Sequence, residues 1–141
     1  MRNLVNRPCK QCGKIFDRTR HVQQFCSIEC HFWSKTTPKG VDECWEWGGT
    51  RNRGCYGIIS DNYETLLAHR ISFEIHHGRL GDNIVMHSCD NPPCVNPNHL
   101  SGGTHADNVR DRVTKGLSKY ISKPVRGEAN HLTKLRSEDV L

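Results

Sequence analysis

Leu67, Ile71 and Ile75 recur every four residues, so one apolar stripe runs along a helix over residues 68 to 77, with Gly78 placed to close it. Ahead of it, Thr50 to Leu67 reads as a hairpin: Tyr56-Gly57-Ile58-Ile59-Ser60 is one β-like run, Asp61-Asn62 a tight turn, and Tyr63 to Leu67 the returning strand. Ile84-Val85-Met86 forms a short strand that delivers His87 at its end. Prolines at 92, 93 and 97 then hold the residues before them away from helical geometry, which makes a stiff loop. Thr104-His105-Ala106-Asp107 has the spacing of a capping box with Asp in place of Glu, predicting a helix from His105 to about Lys115 that ends at Gly116. Phe32 and Trp33 precede Thr36, Thr37, Pro38 and Gly40, which marks a linker after a short helical end. These pieces predict a small irregular α+β fold with three parts: residues 1–35, 41–116 and 117–141.

With 141 residues, 35% apolar, the chain has room for one compact domain plus attachments but only a modest core, so metal staples are expected. Eight cysteines would allow four disulfides, yet no apolar signal segment opens the chain, and that combination favours zinc. No apolar run approaches the roughly 20 residues a membrane span needs, so a soluble, cytoplasmic protein is expected. The net charge of +5 is concentrated at the ends. Up to Gln24 the charged residues are Arg2, Arg7, Lys10, Lys14, Arg18 and Arg20 against Asp17 alone, a pattern that suits phosphate contacts as well as a merely solvated surface.

The cysteines fall into two sets. Cys9 and Cys12, followed by Gly13, form a zinc knuckle, and Cys26 and Cys30 supply a second pair, which makes a four-cysteine zinc finger that either props the rest of the chain or touches DNA. Further on, Cys89, Cys94 and His99 are spaced five and five. Tetrahedral zinc needs a fourth ligand, which is Cys44 or, in its place, His87. With Cys44 as ligand, His87 stands two residues before a pinned cysteine, where a base can be aimed, and the amide oxygen of Asn108 is a hard donor suited to Mg²⁺. Asp107 is the competing metal ligand, disfavoured because a capping carboxylate faces the backbone. A fixed base, a hard-metal ligand and a zinc clip together make a layout for phosphodiester hydrolysis. Trp45 and Trp47 are expected as core around this zinc, and Cys55, left over, as a small buried side chain. A two-stranded ribbon fits the major groove, where Arg51, Asn52, Arg53, Ser60 and Tyr63 reach bases or phosphates. His76 and His77 are attributed to the helix dipole and solvent, whereas His69 and Arg70 are read as either buttress or phosphate contact.

From Cys44 to Gly116 the chain resembles the ββα-metal nucleases, and within them the His-Cys box homing endonucleases and related HNH proteins common in phages, through the pattern H-x-C-x4-C-x4-H-x8-N. The resemblance implies a ββα-metal core, with His87 as general base and Asn108 as ligand of a catalytic Mg²⁺. It also implies a structural zinc on Cys44, Cys89, Cys94 and His99, and an arginine, Arg51 or Arg53, at the scissile phosphate. Arg112 shares a helix face with Asn108 and steadies the phosphate. Many HNH nucleases carry an acidic metal ligand just before the base; here that position is Met86, which fits the His-Cys box version. The finger resembles small zinc fingers whose second pair is F-C-S-x-x-C, and Arg126 to Leu135 resembles the beginning of a helical DNA-binding tail. The implied activity is site-preferring, Mg²⁺-dependent cleavage of duplex DNA, of homing type, in a bacterial or phage-infected cell, with two structural zincs. One active site cuts one strand, so a double-strand break requires a homodimer or two sequential events. The rival readings are a zinc-dependent DNA-binding regulator with an inert nuclease core and a non-specific nuclease.

Overall fold

A computed structural model of the chain describes residues 6–18, 20, 22–61 and 63–117. Of the basic N-terminal stretch, expected from sequence to be a disordered arm over residues 1–8, residues 1–5 lie outside the described residues, whereas Arg7 and Pro8 form a strand; nearly all of the C-terminal tail also lies outside the described residues. The chain divides into two units, Met1–His105 and Ala106–Leu141.

In the first unit, β1 (Arg7–Pro8) pairs antiparallel with β2 (Ile15–Phe16), and the Cys9–Cys12 knuckle is the turn between them. Gly13 sits there at φ 74°, a left-handed conformation that costs glycine nothing. Helix α1 (Ile28–Ser34) is capped by Ser27, whose hydroxyl accepts from the Cys30 amide at 3.2 Å. The hairpin follows as β3 (Ile58–Asp61) and β4 (Glu64–Leu67). Asp61 pairs with Glu64, so the connection falls one residue later than expected, and Tyr63 takes the left-handed conformation at φ 71°. Helix α2 (Ala68–His77) ends at Gly78 with φ 91°, as the apolar spacing predicts. Strand β5 (Ile84–His87) pairs with β6 (Leu100–Gly103) across a loop containing a short 3-10 turn at Pro97–His99.

The core gathers side chains from distant parts of this unit. Phe32 from α1, Trp47, Ile59 from β3, Ala68 and Ile71 from α2, and Val95 from the β5–β6 loop pack together, with Phe32 and Trp47 stacked at 5.8 Å between ring centroids. The finger's helix is therefore part of the same core as the segment beyond residue 41. Trp47 is the core residue expected from the sequence, whereas Trp45 packs on the periphery and donates to the Lys39 carbonyl. Gly57 passes so close under Trp47 that a Cβ there would lie 2.5 Å from the indole Cγ, while its carbonyl accepts from the Ala68 amide at 2.8 Å and starts α2. Neither group can retreat without breaking the β3–α2 joint. Gly57→Ala is thus expected to destabilise the protein by about 1–3 kcal/mol, the usual cost of overpacking, read as a lowered urea midpoint; an unchanged midpoint would show that the joint yields.

Helix α3 (His105–Thr114), all but its first residue in the second unit, ends as expected at Gly116, φ 67°. The Gly116 amide donates to the Val113 carbonyl and the Leu117 amide to that of Arg112, which is a Schellman closure.

Candidate active site

The two cysteine sets converge in space. Cys9, Cys12, Cys26 and Cys30 form one cluster, and Cys44, Cys89, Cys94 and His99 the other, with ligand atoms in each lying within 4.8 Å of one another. All eight cysteines are free thiols. Four ligands placed tetrahedrally about zinc, with Zn–S near 2.3 Å, stand roughly 3.5–3.8 Å apart. Cys12 and Cys26 sulfurs are 3.6 Å apart and those of Cys26 and Cys30 3.5 Å. His99 Nδ1 lies 3.7 Å from Cys44 Sγ and 3.5 Å from Cys94 Sγ. Both clusters could hold a metal ion, and their donors and edge lengths are consistent with zinc. His87 lies outside the second set, and Cys44 occupies the fourth corner.

The thiols differ in how readily they ionise. Burial raises the Cys9 thiol, but the backbone amides of Cys12, Cys26 and Gln11 outweigh it and bring its pKa down to about 6. The Cys26 amide stands 3.4 Å from that sulfur. In the second cluster a hydrogen bond from the Asn91 side chain lowers Cys44, whereas burial raises Cys89 and pushes Cys94 up to about 12. A metal entering there must displace protons, so its affinity rises with pH. Metal analysis is expected to find about two zinc ions per chain, one for each four-ligand set, and Cys55→Ser is expected to keep both. A single zinc, or loss of one in Cys55→Ser, would contradict the assignment. Cys55 itself corrects the expectation of a buried side chain. It is exposed at φ 66° in the turn that Asn52 closes, because that loop projects past the core.

His87 closes β5 opposite Leu100, next to the second cluster. Its Nε2 lies 2.9 Å from the Cys94 carbonyl oxygen. A carbonyl only accepts, so Nε2 carries the proton, and in the neutral ring the basic lone pair is on Nδ1. The carbonyl that orients the imidazole belongs to a cluster cysteine, so the ring's position depends on the cluster. The segment carrying Cys44 is stitched to the same loop: the Trp47 amide donates to Pro93 and the Val95 amide to Trp45. Asn96 is the residue that sequence reasoning missed. Fully buried, it donates through Nδ2 to the carbonyls of Val41 at 2.8 Å and Glu43 at 2.7 Å, while its Oδ1 accepts from the Asn98 amide at 3.0 Å. It clamps the loop to the chain just before Cys44. Its position before Pro97 was the only local signal, and that signal indicated a turn.

Arg70 donates to the carbonyls of Gly81 at 2.6 Å and Asn83 at 3.3 Å, so its guanidinium buttresses the approach to β5. His77 Nε2 meets the Pro97 carbonyl at 3.0 Å, a structural tie in place of the solvent contact expected. On the hairpin side, Arg51 donates to the Trp47 carbonyl at 3.1 Å and pairs with Glu46 at 3.4 Å, whereas Arg53 is exposed. The Asn52 side chain accepts from the Gly54 and Tyr56 amides and so shapes the loop. Ser60 is exposed on β3, and Tyr63, 91% exposed, lies beneath the Arg20 guanidinium at 4.3 Å. A cavity of about 520 Å³ opens nearby, lined among others by Arg20, Phe25, His31, Lys35 and Ser60. Asn108 and Arg112 both lie on α3, in the second unit, with Asn108 in the first turn. Asp107 pairs with Arg110 at 3.4 Å.

Residues 66–110 match the family profile described as HNH endonuclease, which spans β4 to the first half of α3 and includes His87, the Cys89–His99 loop and Asn108. The chain is 42% identical over 86 residues to Protein 2.8 of Escherichia phage T7, covering 60% of this chain and 57% of that protein. It is 43% identical over 77 residues to Protein 7.7 of the same phage, covering 54% of this chain and 59% of that one. The chain thus spans somewhat over half the length of the curated relatives it matches. No solved structure matches it. The matched segment suggests a nuclease domain in a protein with phage relatives. Among the described residues no helix is long and apolar enough to cross a membrane.

Proposed function

We propose that this protein is a Mg²⁺-dependent endonuclease that hydrolyses phosphodiester bonds of duplex DNA at preferred sites, a homing-type HNH enzyme of the His-Cys box kind working in a bacterial or phage-infected cell. The observation that carries the reading is His87 itself: an imidazole at a strand end, oriented through Nε2 by the carbonyl of a cluster cysteine, inside a segment matched to HNH endonucleases. Its Nδ1 takes the proton from the attacking water, and the rigid loop keeps that atom in place through the reaction. Asn108 offers one hard amide oxygen on a first helical turn and would hold Mg²⁺ there. When bound, that ion neutralises charge developing on the leaving 3′ oxygen. Zinc in the Cys44 cluster staples the ββα-metal core, and zinc in the Cys9 cluster holds the finger.

Arg51 or Arg53 holds the scissile phosphate, and Asn52, Ser60, Tyr63 and Arg112 contribute DNA contacts. Arg51 is already tied to Trp47 and Glu46, whereas Arg53 is exposed. The three-part division at residues 35, 41 and 117, and a homodimer for double-strand cleavage, belong to the same reading. An end-labelled duplex digested with Mg²⁺ tests it. Discrete bands ending in 3′ hydroxyls are expected; a smear would favour a non-specific nuclease, and a retarded but uncut duplex would favour a DNA-binding regulator.

A further inference from the structure

His69 stands at the second position of α2 with 6% of its surface exposed, and its Nδ1 is buried without a hydrogen-bond partner among the described residues. Burying a polar atom in that state costs stability, and phenylalanine would fill the space without the cost. What surrounds His69 is a cluster of three rings. Its centroid lies 4.9 Å from that of His87, at 45°, and 5.2 Å from that of Tyr56, at 40°; Tyr56 in turn is 5.9 Å from His87. Tyr56 and His69 are anchored across one joint, because the Ala68 amide donates to the carbonyl of Gly57.

A hydrogen bond at Nε2 fixes one end of the His87 imidazole but does not by itself set the plane of the ring. Rings packed against it do. We propose that His69 is a positioning residue: together with Tyr56 it fixes the plane of the His87 ring, and so the direction in which Nδ1 points. The proposal rests on the reading of His87 as general base. Burial first, then the charges of His87 and Arg70, bring the His69 pKa down to about 4. The ring is therefore neutral near pH 7 and places no charge beside His87.

The test uses the full-length, zinc-replete protein and its His69→Ala, His69→Leu and His69→Phe variants. It reads zinc content, DNA affinity, single-turnover cleavage rate and the Nε2–H resonance of His87. Misorienting a catalytic group by about an ångström costs on the order of 10²-fold in rate. Ala and Leu are therefore expected to slow cleavage by about 10- to 100-fold at unchanged zinc and affinity, and to broaden the His87 resonance. Phe is expected to restore both to within a few-fold. If Ala fails to fold, Leu against Phe gives the same comparison. Leu cutting as fast as wild type with an unchanged resonance, or Phe as impaired as Leu, would overturn the proposal. Should wild type not cut DNA at all, the base reading fails by itself, and the resonance alone decides whether His69 holds the His87 ring.

Discussion

His87→Ala is expected to slow DNA cleavage by about 10²–10⁴-fold while leaving two metal ions, the fold and DNA affinity in place. The separation follows from the geometry. The four donors of the second cluster are Cys44, Cys89, Cys94 and His99, and His87 is not among them. Its ring reaches the Cys94 backbone carbonyl, so truncation removes a hydrogen bond with a net worth of about 0.5–1.5 kcal/mol and some packing against His69 and Tyr56. That is a tolerable loss for a domain, whereas losing the proposed general base would be a loss of chemistry. Single-turnover rates, zinc content and a thermal melt on the same preparation check it. If the variant released zinc and melted, His87 would be structural and the catalytic reading of the loop would fall with it.

Cys94→Ser is expected to do the opposite: to empty the second cluster and unfold the first unit's core. Cys94 is fully buried, and without metal its burial holds the thiol protonated, so a metal held there would both ionise it and tie it to Cys44, Cys89 and His99. Structural zinc contributes apparent binding energies of roughly 10–16 kcal/mol, as large as the roughly 5–15 kcal/mol by which whole domains are stable. Among the described residues the core it closes has six buried members, so little remains to replace that contribution. The expected readout is one zinc per chain and loss of the cooperative thermal transition. A variant that keeps two zincs and melts near wild type would show that the cluster is not a staple.

The features read correctly from sequence are those with a local cause. Apolar residues four apart and a following glycine specify α2, the strand Ile84–Met86 delivers His87, and Gly116 marks the end of α3. The cysteine sets were legible because metal-ligand spacing is short-range within each pair, and the long step from Cys44 to Cys89 was bridged by the family resemblance, since tetrahedral zinc alone left Cys44 or His87 as the fourth ligand. The features missed have distant causes. Asn96 clamps backbone more than fifty residues earlier, and nothing around it signals those carbonyls. Phe32, read as the end of the finger before a linker, enters the core beside Trp47. Tyr63 accepts a positive φ that short-range preference assigns to Asp or Asn, and Cys55 is exposed because its loop leaves the core. His69 was left between two roles because its meaning depends on the rings around it, which only the fold assembles.

The most direct measurement is the conversion of supercoiled plasmid by zinc-replete protein when Mg²⁺ is added. Nicked circle is predicted to appear with Mg²⁺ and none in its absence, with wild type active and His87→Ala slowed to the extent given above. Plasmid that stays supercoiled with Mg²⁺, while the protein carries its two zincs and binds the DNA, would contradict the account.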